Sequence, residues 1–205
     1  MKENKNIKVL MIIIVSILIV YAIIVGVRIY TKMNLNNKAI SYFNNENYYM
    51  KQITYSKDGI MIGEKYYKDG KSLTNIVHYN YDEKTESISY KDEKETLTVF
   101  KENGEVKRVE DYENGIEPIT HYALNLPSEI FESIFKGLQE GYCDDRECYI
   151  FNNKKDGNTY YIDKETGLAL RVVNNKSQYI INEYKYEFNN VKDEEVKKPD
   201  FEENS

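Results

Sequence analysis

The chain has no tryptophan, two histidines, two cysteines and only four arginines against 24 lysines. Each scarcity narrows what the protein does. His78 lies in a run that reads as a strand (IVHYNY) and His121 in a connection (ITHYAL), and neither stands near a cysteine, a serine or a paired-carboxylate motif. No catalytic constellation follows from them. Phosphate-cradling glycine loops and a nucleophile elbow are absent too. Asp156-Gly157-Asn158 and the stretch from Asp163 to Gly167 are rich in oxygen ligands, but they lack the alternating acids and closing glutamate of a calcium loop and so read as turns. The chain is therefore expected not to be an enzyme and to carry no metal or cofactor. Scarce arginine, no tryptophan and abundant Asn, Ile and Tyr fit AT-rich coding, which makes a low-GC bacterium the expected source and leaves the Asn175-Lys176-Ser177 sequon without meaning.

What the sequence does have is one long apolar run. Val9 to Val27 is nineteen residues without charge or proline. As a helix it spans roughly 28 Å, against a bilayer core of about 30 Å. Lys2, Lys5 and Lys8 precede it while Arg28 and Lys32 follow, a modest bias that places the N-terminus in the cytoplasm. A cleaved signal peptide ending at Val20-Tyr21-Ala22 is the rival reading, but the apolar run continues past that point and exceeds the usual length of about 7 to 15 residues. The expected organisation is a short cytoplasmic segment (1–8), a transmembrane helix (9–30), an extracytoplasmic β domain (31–188) and an acidic, partly mobile tail (189–205). Beyond residue 32 there are 23 basic and 33 acidic residues, a net charge of −10. Such a surface repels nucleic acid, so no nucleic-acid partner is expected.

Cys143 and Cys148 sit in GYCDDRECYIF, which reads as a hairpin outside the membrane. A disulfide is expected there, contributing about 2 kcal/mol for so small a loop. The spacing does not match the C-x-x-C of redox or metal sites.

After a short helix expected from Asn34 to Asn45, the hydrophobic period changes from helical to two. Asp58-Gly59, Asp69-Gly70, Asn103-Gly104, Asn114-Gly115 and Asp156-Gly157 fall between β-rich runs, where they supply hairpin turns, and Thr166-Gly167 adds a similar one. About ten antiparallel strands are expected between Tyr48 and Phe188. Between the sixth and seventh, Leu126-Pro127-Ser128-Glu129 opens a second helix whose stripe of Ile130, Phe131, Ile134, Phe135 and Leu138 is expected to lie on the sheet as a lid. Eighteen tyrosines lie outside the membrane region. Tyrosine suits half-buried strands generally. A sharper reading has Tyr66, Tyr79, Tyr81, Tyr160 and Tyr186 lining a concave face that receives an amphiphile.

The stretches NYYMKQITYS, GEKYYKDGKSLTNIVHYNYDEKTESISY and TYYIDKETGLALRVVNN, with the closing EYKYEFNNVKDEEVKKPDF, resemble the lipoprotein-carrier (LolA-like) superfamily. Lys68-Asp69-Gly70-Lys71 matches the hairpin that precedes a strand in that family, and Ile162-Asp163 to Gly167-Leu168 matches its late turn. The resemblance implies a mostly β, α+β fold: a curved, unclosed antiparallel sheet covered by one or two helices, which binds lipid chains or senses envelope components in its hollow. Family members that shuttle are soluble, so a tethered chain implies binding in place. The leading expectation is a membrane-anchored domain holding a lipid, lipoprotein or other amphiphile. The alternative is a structural or protein-interaction module that contacts an envelope partner.

Overall fold

In the computed structural model, which describes residues 2–44, 46–81, 83–119, 139–153, 157–176 and 180–199, the apolar run does not end at the membrane boundary. It continues as one helix, α1 (Lys2–Phe43), 42 residues and about 63 Å long. From Arg28 to Phe43 there is no glycine or proline to break it, so the expected membrane span and the expected helix after it are a single element. Its first part is bare, with Ile12 66% exposed, and the helix is long and apolar enough to cross a membrane. Its last part is core: Leu35 and Ala39 are buried.

Eleven strands follow: β1 (Asn47–Ser56), β2 (Gly59–Lys68), β3 (Lys71–Asn80), β4 (Glu83–Lys91), β5 (Thr96–Glu102), β6 (Glu105–Glu110), β7 (Gln139–Cys143), β8 (Arg146–Asn153), β9 (Asn158–Asp163), β10 (Ala169–Asn174) and β11 (Ile180–Phe188). They form one unclosed antiparallel sheet in the order β6-β5-β4-β3-β2-β1-β11-β10-β9-β8-β7, so β6 and β7 are its edges. Asp69-Gly70 and Asn103-Gly104 have positive φ at both positions, as two-residue hairpins need. Asn114-Gly115 is not such a turn; it belongs to a segment, 111–119, that is neither helix nor strand. The extra strand, β7, is QEGYC, five residues around a glycine with no alternation to announce it. The stripe from Ile130 to Leu138 lies outside the described residues.

Two meanders, β1 to β6 and β7 to β11, meet only where β1 pairs with β11, from Tyr48↔Phe188 to Tyr55↔Ile181. The C-terminal part of α1 lies against this seam. Leu35 packs with Phe151, Ile162, Ala169 and Val172, while Phe43 meets Tyr48, Tyr186 and Phe188 edge-on at 5.0 to 5.6 Å between centroids. Gly167 lets the helix seat. It has φ +75°, and a Cβ there would lie 2.2 Å from the Leu35 carbonyl oxygen.

The tail is docked as far as it is described. Asn47 donates from Nδ2 to the Val191 carbonyl and accepts from the Val191 N–H, after which a 3-10 helix (Asp193–Val196) settles on β2 and β3 with Val196 buried. Lys68 pairs with Asp193 at 2.6 Å and Lys198 with Glu95 at 2.7 Å, which ties the segment across the sheet.

The expected disulfide is not formed: Cys143 and Cys148 are free, buried thiols. Their hairpin exists, but its register pairs Cys143 with Arg146 and Cys148 with Gly141, which leaves the two cysteines diagonal to one another. Diagonal positions stand roughly 7 Å apart, against the roughly 4 Å between Cβ atoms that a bridge requires. Burial, then the neighbouring Cys143, pushes the Cys148 thiol up to about 11. Alkylation of the native protein should therefore be slow at neutral pH and accelerate as pH rises towards that value, while unfolded protein releases two thiols at once; mass-resolved iodoacetamide kinetics measures both. Gly167→Ala should destabilise the domain by about 2 kcal/mol or more, read from urea unfolding, because the added methyl meets helix backbone at a left-handed position.

Candidate functional site

Residues paired directly across antiparallel strands share a face. From Met50 and Tyr48, which meet α1, the register carries the helix-facing side through Lys65 and Tyr67 of β2, Thr74 and Ile76 of β3, Ser87 and Ser89 of β4, and Thr98 and Phe100 of β5. In the other direction it passes through Tyr184 and Tyr186 to Val172, Tyr160 and Phe151. Tyr160 and Tyr186 thus stand on the helix-facing side. Tyr66 and Tyr79 stand on the other face. Tyr66 packs against Tyr49 with ring centroids 4.9 Å apart and the planes tilted by 45°, and Tyr79 forms an exposed row with Ile60 and Tyr55. Tyr81 occupies the turn after β3, with φ +46° and 90% exposure. Tyr184 joins the helix-facing set, and burial pushes its hydroxyl up to about 12.

Much of this side is already occupied. The segment 111–119 crosses the strands at right angles as a strap. Thr98 donates its hydroxyl to the Tyr112 carbonyl, Asn114 donates its N–H to Ser89 Oγ at 3.0 Å, and its Nδ2 donates to Ser87 Oγ at 2.8 Å. Ile116 is buried on Gly63, where a Cβ would come within 2.8 Å of its Cγ2. A glycine in mid-strand therefore marks the notch that the strap fills. At its far end the buried Lys65 ammonium holds Glu117 at 2.8 Å and Glu113 at 3.4 Å, and Lys91 reaches Glu113 at 2.7 Å. Burial works against the Glu113 carboxylate, but the Lys91 hydrogen bond and the charges of Lys65 and Lys91 outweigh it and hold its pKa below the ordinary 4.5.

Beside the strap, towards the turns that join β1 to β2 and β3 to β4, the floor is open. One cavity of about 490 Å³ and another of about 430 Å³ share His78 and Thr85, so they form one groove across the strands. Its floor is the register row Thr54, Met61, His78, Thr85 and Glu102, which Asn182 continues beyond the groove. Thr54 Oγ1 donates to Asn182 Oδ1 at 2.7 Å, and at the β6 end Arg108 stacks on Phe100 at 4.1 Å while pairing with Glu110. Among the described residues no group of three metal-ligating side chains occurs.

Lys65, Glu113, Ile116, Glu117, His78 and Thr85 are the residues of this side that strand alternation does not single out. Gly63 was their one visible signal, a glycine inside the β2 run GIMIGEKYYK.

No protein-family model matches the chain, and no curated protein is similar to it. Among solved structures it is similar to a DUF1329 family protein from Desulfovibrio piger ATCC 29098, at 11% identity and a TM-score of 0.34, over 81% of this chain and 95% of that one.

Removing both partners of a buried ammonium is costly, so Glu113→Ala with Glu117→Ala should cost about 3 kcal/mol in urea unfolding, whereas Glu117→Ala alone, at an exposed carboxylate, should cost less than about 1 kcal/mol. The sign with pH follows from the depressed Glu113 value. Its contribution is complete above the ordinary carboxylate range and is lost as pH falls through the lower folded value, and Glu113→Gln should flatten that acid limb.

Proposed function

We propose that this protein is a membrane-anchored, extracytoplasmic binding domain that holds a lipid, lipoprotein or other amphiphile on the helix-facing side of its sheet. The observation that carries the reading is the uninterrupted α1. The same helix that presents bare aliphatic side chains before Arg28 presents Leu35 to Phe151, with Tyr149 and Tyr160 packed alongside. Between those two stretches the buried face of the helix carries the cations Arg28 and Lys32, so an acyl chain held around Leu35 and Phe151 would stay out of water in a pocket set off from the bilayer by two positive charges. Buried apolar surface of this kind contributes about 25 cal/mol per Å². The lysines at positions 2, 5 and 8 favour an N-terminus inside the cell with the β domain outside, which supports the reading. The resemblance of the turns at Lys68-Asp69-Gly70-Lys71 and Ile162 to Leu168 to lipoprotein carriers points the same way.

A second reading, a protein-interaction module of the envelope, is favoured by the strap: Ile116 and the Lys65 ion pairs fill part of the hollow with the protein's own groups. Native mass spectrometry of the full chain, extracted from its host's envelope in mild detergent, separates the two. A reproducible lipid-sized adduct that survives detergent removal is expected. A clean protein mass, with no uptake from phosphatidylglycerol vesicles, would overturn the amphiphile reading in favour of the second.

A further inference from the structure

We propose that the open groove beside the strap binds an extended, basic polypeptide segment of a partner protein, laid across the strands parallel to residues 112–117. The strap itself is the evidence for what this floor holds. From Tyr112 over β5, through Asn114 over β4, to Ile116 over β2, it is a stretch of extended chain gripped through its own backbone by hydroxyl side chains: Thr98 donates to the Tyr112 carbonyl and Ser89 accepts the Asn114 N–H. The next row of the same face repeats that chemistry. Thr85 follows Ser87 and Ser89 along β4, His78 follows Ile76 along β3, and Thr54 stands across from Met61 on β1. His78 and Thr85 are exposed, and the volume above them is open.

The dimensions agree with one strand of peptide. Five neighbouring strands at about 4.8 Å spacing make the row about 19 Å long, which is about six residues of extended chain, and one row along the strands is about 6.8 Å wide. Charge selects among peptides. Glu102 ends the row, and Asp58 and Glu83 line its rim. Each cation that also lines the groove has an acidic neighbour of its own: Arg108 is engaged by Glu110 and the Phe100 ring, Lys107 pairs with Glu105, and Lys101 stands across from Glu86. An acyl chain would cover the Thr85 hydroxyl and the His78 imidazole without offering either a partner. The proposal stands apart from the amphiphile reading, which concerns the apolar half of the face around Leu35 and Phe151.

Fluorescence anisotropy on the full chain in zwitterionic phosphatidylcholine nanodiscs tests it. The probes are a labelled octapeptide of alternating lysine and threonine and its glutamate-threonine counterpart. Saturable binding of the basic peptide is expected, at least about 10-fold tighter than of the acidic one. Thr85→Tyr, which fills the groove from an exposed strand position without adding charge, should weaken it at least about 10-fold with the unfolding midpoint unchanged. Glu83→Gln with Glu102→Gln should narrow the gap between the peptides to less than about 3-fold. Three results would overturn the proposal: no saturable binding up to about 1 mM, binding unaffected by Thr85→Tyr, or displacement of the peptide by equimolar N-acetylglucosamine hexamer or lysophosphatidylcholine, which would give the groove to a glycan or a lipid. None of these outcomes moves the lipid-adduct measurement, so the two readings fail separately.

Discussion

The pairing of β1 with β11 is the contact on which the rest of the molecule hangs. It joins the first and last strands of the domain, and without it the two meanders would be separate sheets, each with an extra bare edge. The aromatic cluster over the seam, Phe43 with Tyr48, Tyr186 and Phe188, is what α1 presses on. Such a contact closes a long loop of chain, so it gains stability only once both meanders are in place. Asn47 reinforces the closure from the adjoining position by holding Val191 with both its amide groups.

On the helix-facing side the protein covers part of its own sheet. The strap uses hydroxyls, an ion-paired lysine and a single isoleucine in a glycine notch to cover the rows nearest α1. Each of those interactions is modest, but the hydroxyl contacts and the Lys65 ammonium are at least partly shielded from water, where leaving a polar group unpaired is more costly than the bond it makes. The strap therefore acts as part of the floor. That divides the face into an apolar region contiguous with the anchor helix and a polar row open at the turn end. A molecule with one apolar and one polar part, or two different molecules, would find distinct chemistry in the two.

The strands were legible because their turns are chemical. Asp69-Gly70 and Asn103-Gly104 adopt the left-handed pair of angles that their residue types favour, and alternation between them sets the strand lengths. Which face a tyrosine occupies was not legible. Tyr66 and Tyr67 are neighbours with opposite fates, and a shift of one residue in the count to the turn exchanges them. The cysteines failed for the same reason at a finer scale: the hairpin was visible, but a register offset of two was not. Arg28 and Lys32 read as a membrane boundary, yet both are buried, with Lys32 Nζ 4.5 Å above the Phe151 ring, a tertiary fact that no local pattern encodes. Asn114-Gly115 has the composition of a turn and instead lies in the strap, because Ser87 and Ser89 offer its polar groups partners that a hairpin would have supplied.

The unbroken helix also makes the domain's compass bearing a property of its apolar stretch. In an α-helix each residue adds about 100° of rotation and 1.5 Å of rise. Adding or removing one residue between Val27 and Leu35 would swing the whole sheet by that angle about the helix axis, relative to the apolar stretch, and shift its distance by barely an atom's width. A flexible joint would let the sheet face any way; the continuous helix holds it to one face of the apolar stretch, as a vane fixed to its shaft turns only with the shaft. The length of the helix therefore sets the heading as much as the reach.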